Sequence, residues 1–233
     1  MQQQPLSTFW RNHLVIPFIA LIVLTAYIEL TGIDAVLADK IYAWEGGTWT
    51  LKRAWVTETL IHQTGKYLSL TMALLVILAV IATYITPRLL KYQRELLFLL
   101  CAAAGSSGLI SILKDITHVS CPWDFTRYGG ELPYASVFTQ IIHLSGDGCF
   151  PAGHASGGYA WLAFYFLGLH MQSKWRWVGL GFALGVGAIF GASQQLRGAH
   201  FITHDLWTLG ICWFFSLFMY KLMLLGKKPS HSE

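Results

Sequence analysis

Charge is scarce in this chain of 233 residues: Asp, Glu, Lys and Arg make up 12% of it, against about 25% in an ordinary soluble domain. So little charge does not suffice to clothe a surface that faces water all round. Internal repeats, low-complexity tracts and long linkers are also missing, which leaves one domain over residues 1–233. The first apolar run lacks a small-residue cleavage site, and the chain stays apolar to its end. That run is expected to be a retained helix rather than a leader that is removed. The formal net charge is +4, yet the basic residues do not gather into one patch. They fall in short clusters between apolar runs, as in the cytoplasmic loops of membrane proteins, and this sets nucleic acid aside as a partner. No obligate protein partner is evident either.

What is abundant is apolar. Hydrophobic residues make up 55% of the chain, and it carries ten Trp and ten Tyr, whose amphipathic rings are enriched at the two bilayer interfaces. A helix needs roughly 20 mainly apolar residues to cross the hydrocarbon core. Six segments meet this need: 13–31, 67–86, 96–113, 152–171, 178–197 and 205–225. The expected fold is all-α, a polytopic membrane helix bundle of about six transmembrane helices. Gly105, Ser106, Ser107 and Gly108 dilute the third segment, but small residues at such spacing are what close helix–helix contact in a membrane uses.

Lysine and arginine in the short loops set the orientation. Arg11 precedes the first segment; Arg88, Lys91 and Arg94 lie between the second and third; Lys174 and Arg176 lie between the fourth and fifth; Lys227 and Lys228 follow the sixth. With six spans these all fall on one side, so both termini are expected in the cytoplasm. The expected site of residence is a bacterial inner membrane. Loops 32–66 and 114–151 and the turn near 198–204 then face the periplasm. Loop 32–66 carries Lys40, Lys52, Arg53 and Lys66 against the rule, balanced by Asp34, Asp39, Glu45 and Glu58. Its Trp44, Trp49 and Trp55 suggest a segment lying along the interface.

The residues able to do chemistry collect on that outer side, and ionisable groups at membrane depth are functional candidates by default. Cys149-Phe-Pro-Ala-Gly-His154-Ala-Ser156 has a proline before a run of small residues, the mark of a helix start. Free N–H groups there make an anion site. Gly153 lets a ligand approach the backbone, and His154 and Ser156 add side-chain donors. In Ser193-Gln-Gln-Leu-Arg197-Gly-Ala-His200-Phe-Ile-Thr-His204-Asp205, two histidines stand four apart and on a continued helix would share a face. Such a pair can bind zinc or make one imidazole a nucleophile whose tautomer a neighbour fixes. Only His154 offers itself as a third ligand, and no cysteines have ligand spacing, so the expectation is no metal and no cofactor. In the third stretch, Lys114, His118 and Arg127 read as the cationic wall of a phosphate pocket; a lysine snorkelling to the interface is the plainer alternative.

These three stretches, in this order, resemble the signature of the type 2 phosphatidic acid phosphatase superfamily, which includes membrane lipid phosphatases, lipid A phosphatases and soluble vanadium haloperoxidases. The family has Lys-x6-Arg-Pro, then Pro-Ser-Gly-His, then Ser-Arg-x5-His-x3-Asp. Here Lys114 and Pro122 fit the first motif, with Cys121 at the arginine. Pro151, Gly153 and His154 fit the second, with Ala152 for serine. Ser193 and His200 fit the third, with Gln194 at the arginine and His204 at the aspartate, Asp205 following. The resemblance covers about residues 96–225.

The resemblance implies that His200 attacks phosphorus and forms a phosphohistidine, and that His154 protonates the leaving oxygen. Lys114, Ser193 and the backbone near Gly153 bind the phosphoryl oxygens. Arg197 and Arg127 are expected to replace the charge of the two absent arginines, and His204 or Asp205 to orient His200. The implied activity is metal-independent hydrolysis of a lipid phosphate or diphosphate at the periplasmic face, with a membrane lipid as substrate. A lipid-to-lipid phosphotransferase, or a binding or transport protein that has lost catalysis, are the other readings. A transporter usually keeps its polar groups near the bilayer midplane, whereas these lie at the outer edge. Cys101 and Cys212 fall within spans as small hydrophobes. Cys121 and Cys149 flank the outer loop, and a disulfide between them is expected if that side is oxidising, two free thiols being the alternative.

Overall fold

The computed structural model describes residues 5–143, 146 and 148–230. Helix α1, Leu6–Thr31, is apolar enough to cross a membrane. Pro17 has no N–H to offer the His13 carbonyl one turn back, and that carbonyl instead accepts the indole N–H of Trp213 at 2.8 Å. The helix passes through a π-helical stretch at Arg11–Val15 just before the proline. It stops at Gly32, which takes the left-handed conformation (φ +68°) that ends helices cheaply. Helix α2, Ile33–Trp44, follows at once.

Helix α3, Trp55–Ile85, is the second long apolar helix, and its first turns, Trp55–Gln63, are π-helical. It ends before Pro87, which disfavours a helical residue ahead of it. Helix α4 is Gln93–Thr117, α5 is Val137–His143, α7 is Arg176–Leu196 and α8 is Ile202–Met223. Between α5 and α7, helix α6 runs over 153–170 with a 3₁₀ turn at Ala160–Leu162.

Five helices meet the length and hydropathy of a span: α1, α3, α4 with its flanking turns, α7 and α8. The sixth expected span is α6, broken by its 3₁₀ turn and sunk in the middle of the bundle. Ala160, Trp161, Leu162, Ala163 and Phe166 on it are all buried. The protein is thus an all-α polytopic helix bundle. Around it, Ile19, Val23 and Leu30 of α1 and Leu70, Leu74 and Ile81 of α3 are exposed, the outward apolar surface that a lipid environment requires.

Small residues draw the central helices together. A Cβ on Gly158 would lie 2.3 Å from the Gly187 nitrogen, and one on Gly187 would strike the Tyr159 ring. The α6–α7 contact therefore depends on both glycines. The expected small-residue contact of α4 is present too, since Gly105 makes room for the Phe215 ring of α8 and Ser106 is fully buried.

At one end of the bundle, α2, α5 and the loops around them form a cap packed through Ala38, Val119, Phe125, Tyr128, Val137, Phe150 and Phe201. Asp34 of α2 accepts the Thr203 N–H at 3.1 Å and so satisfies the start of α8. Trp44 and Trp55 are exposed, but Trp49 is not at a free interface. It packs on Tyr42 and Tyr128 and lies against Gly198, where any Cβ would collide with the indole.

Candidate active site

The ends of α4, α6, α7 and α8 converge under this cap, and backbone bonds tie the three motif stretches to one another. The Trp123 N–H donates to the Gly198 carbonyl at 3.0 Å, Cys149 N–H to the Val119 carbonyl at 2.6 Å, and Ala152 N–H to the His204 carbonyl at 3.4 Å. The Thr208 hydroxyl donates to the Ala152 carbonyl at 3.2 Å. Cys121 and Cys149 are joined by a disulfide with Cα atoms 5.3 Å apart, so the end of the first motif is bound covalently to the start of the second. Cys121, Asp124 and Cys149 form the one group of three possible metal ligands drawn together among the described residues, and the disulfide uses both sulfurs.

His200 sits in the turn between α7 and α8 and is buried. Its Nδ1 lies 3.2 Å from Nδ1 of His204. One of these atoms must donate and the other accept. If His200 carries its proton on Nδ1, its Nε2 is left with a free lone pair. Burial holds His200 well below the usual imidazole range, and His204, Lys114 and His154 act in the same direction. That places Lys114 of α4 and His154 of α6 within electrostatic reach of His200. Lys114 makes no ion pair among the described residues, and its side chain passes 4.0 Å from where a Cβ of Gly153 would stand. It also lines an open cleft of about 500 Å³ with Asp115, His118 and Gly148.

Several expected residues turn out to be engaged elsewhere. Arg197 is buried, and its guanidinium is paired with Glu58 of α3. It also donates to the Lys52 carbonyl at 3.1 Å and to the Gln194 side chain at 3.4 Å. Arg127 makes a two-pronged bond to Asp39 of α2 and lies over the Tyr134 ring. Bonding to Asp39 pushes Arg127 up and holds the Asp39 carboxyl below its usual range. Of the two arginines expected to supply the missing phosphate charge, each faces a carboxylate in this structure.

Asp205 accepts from the Gln195 amide at 2.5 Å and is packed against Gly191 of α7, so His204, not Asp205, is the residue touching His200. Successive helical residues point about 100° apart, which separates these two neighbours. The hydroxyl of Ser193 donates to the Thr57 carbonyl at 3.5 Å, and that of Ser156 to the Gly153 carbonyl at 2.6 Å. Both serines are buried.

The structure adds His62, at the end of the π-helical part of α3. Its ring lies on that of His154 with centroids 3.8 Å apart, and its Nδ1 is 3.8 Å from Glu58 Oε1. No motif marks His62 or Glu58 in the sequence; only the packing of α3 against α6 and α7 reveals them.

Residues 95–226 match the family model of the PAP2 superfamily. No curated protein and no solved structure matches the chain.

Proposed function

This chain belongs to the PAP2 superfamily, which supports phosphatase-type activity on a phosphoric ester, and from that premise we propose that it hydrolyses a lipid phosphate or diphosphate through a phosphohistidine on His200. The observation that carries this reading is the Nδ1–Nδ1 contact of His200 with His204. In this reading His200 donates from Nδ1 to His204 Nδ1, and that tautomer leaves the Nε2 lone pair as the nucleophile. Burial keeps the ring neutral, as a nucleophile must be.

The reaction has two steps. His200 Nε2 bonds to phosphorus as the bond to the lipid oxygen breaks, and His154, whose protonated form the bound phosphate dianion has to stabilise against the burial that favours the neutral ring, gives its proton to that oxygen. Water then attacks the phosphohistidine while neutral His154 takes a proton from it, and phosphate leaves with both histidines restored. Lys114 and the free N–H groups at the start of α6 stabilise the charge that spreads over the phosphoryl oxygens. With Arg127 and Arg197 paired to carboxylates, the proposed cationic wall is Lys114.

The proposed setting is a bacterial inner membrane with both termini in the cytoplasm and the site on the periplasmic side. Basic residues in the loops at the opposite end support that orientation. A disulfide between Cys121 and Cys149 suits an oxidising compartment. A headgroup in the outer leaflet would meet the Lys114 cleft with its tails still beside the bundle. The test is phosphate release in detergent from phosphatidic acid, phosphatidylglycerol phosphate, a polyprenyl diphosphate and a lipid A phosphate. The wild-type protein should release phosphate from at least one, and a folded His200→Ala variant from none. Retained release in that variant would sink the mechanism. Transfer of phosphate to a second lipid in place of release would make it a phosphotransferase.

A further inference from the structure

His62 carries no motif, and hydrolysis as described does not use it, yet it covers one face of the acid. The centroids of His62 and His154 are 3.8 Å apart, with the planes inclined at 30°. Behind His62 stands a chain of polar contacts. Glu58 Oε1 is 3.8 Å from His62 Nδ1, and the other Glu58 oxygen is paired with Arg197. Arg197 is fixed in turn by the Lys52 carbonyl and Gln194. The charged groups around the two rings are Glu58 and Lys66 on α3, Lys114 on α4 and Arg197 beyond α7. No hydrogen bond to the His154 imidazole is present among the described residues, and the His62 ring lies against its face.

We propose that His62 is a positioning residue for His154, holding the imidazole by stacking so that its N–H meets the oxygen leaving phosphorus. The proposal rests on the hydrolase reading above. A lipid phosphate expels an alkoxide, a strong base that needs a proton as the P–O bond breaks, and general-acid help there is worth about 10²–10⁴ in rate. A nitrophenyl phosphate expels a weak base that leaves without one. Misplacing the acid therefore costs rate on the first and little on the second, whereas general damage to the pocket costs both equally.

The experiment compares dioctanoyl phosphatidic acid with p-nitrophenyl phosphate on the full-length protein in detergent, using wild type, His62→Ala, His62→Gln, His62→Phe and His200→Ala. His62→Ala and His62→Gln are expected to lower kcat on the phosphatidic acid by about tenfold or more, with little change in KM. On p-nitrophenyl phosphate their loss should stay under about threefold. His62→Phe, which keeps a ring in place, should restore the phosphatidic acid rate to near wild type. Equal losses on both substrates, no loss on either, or no rescue by Phe would overturn the proposal. Failure of the hydrolase reading has a different signature: activity persisting in His200→Ala, or no turnover of either substrate by wild type, which would bring down both ideas together.

Discussion

Removing the Glu58 carboxylate while keeping its shape, as in Glu58→Gln, strips the partner from a buried guanidinium. The Arg197 side chain retains 10% of its accessible surface and that of Glu58 32%, so the pair lies between two regimes. Breaking a fully buried pair from one side costs about 3–5 kcal/mol, while exposed pairs contribute about 0.2–1 kcal/mol. The intermediate burial places the coupling of these side chains at about 1–3 kcal/mol. For a chain of this length about 1 kcal/mol moves Tm by about 2–4 °C, so Glu58→Gln should lower Tm by several degrees. The assay is thermal unfolding in detergent, followed by tryptophan fluorescence, on Glu58→Gln, Arg197→Gln and the double variant. The coupling comes from the double-mutant cycle, because Arg197 has other partners whose loss would confuse a single variant. A coupling below about 0.5 kcal/mol, the range of a solvated pair, would refute the claim that Arg197 is held by Glu58 rather than free for phosphate.

Other outcomes follow from the same geometry. His204→Ala should lower kcat by about 10²-fold or more by releasing the His200 tautomer, and His204→Asp should restore much of it; equal activity in wild type and His204→Ala would remove His204 from the site. Burial keeps His200 neutral in the folded state, so loss of kcat/KM on acidification should begin below about pH 6.5, the ordinary imidazole value. The same shift means the unfolded chain binds a proton that the folded chain refuses, so stability contributed by His200 falls as pH drops below that value; a Tm difference between wild type and His200→Ala that grows on acidification would contradict the sign. Cys121 and Cys149 close a loop with a sequence separation of 28, so reduction or Cys121→Ser/Cys149→Ser should cost about 3.5 kcal/mol and reduce turnover. Unchanged Tm and rate after reduction would show the bridge to be idle. Arg127→Ala should leave KM within about twofold, since the guanidinium is already bonded to Asp39 on an exposed face.

Much of the architecture is legible in the sequence because lipid demands long apolar runs, and such runs are visible without knowing what they touch. The helix at 153–170 shows the limit of that signal. Its residues are apolar because protein surrounds them, and the 3₁₀ turn at Ala160–Leu162 interrupts what composition alone reads as an ordinary span. Lys114, His154 and His200 are legible because their spacing and order carry a chemical pattern. The fates of Arg127 and Arg197 are not, since each is decided by a carboxylate distant in sequence, Asp39 or Glu58, that the fold brings alongside. The choice of His204 over Asp205 depends on the angle at which α8 leaves its turn. His62 is hidden for a related reason: it lies in a π-helical stretch, where the usual periodicity of helical faces does not apply.

The central claim is that phosphorus becomes bonded to His200, and trapping that bond tests it most directly. The wild-type protein is mixed with a substrate that it turns over, quenched within the first turnover in alkali, where phosphohistidine survives, and digested for peptide mass spectrometry. The expected result is a phosphoryl group on His200, absent from His200→Ala and, with p-nitrophenyl phosphate as substrate, accumulating in His154→Ala, which forms it without an acid but hydrolyses it slowly. Turnover with no trapped phosphoryl group on His200, or a phosphoryl group carried by another residue, would contradict the account.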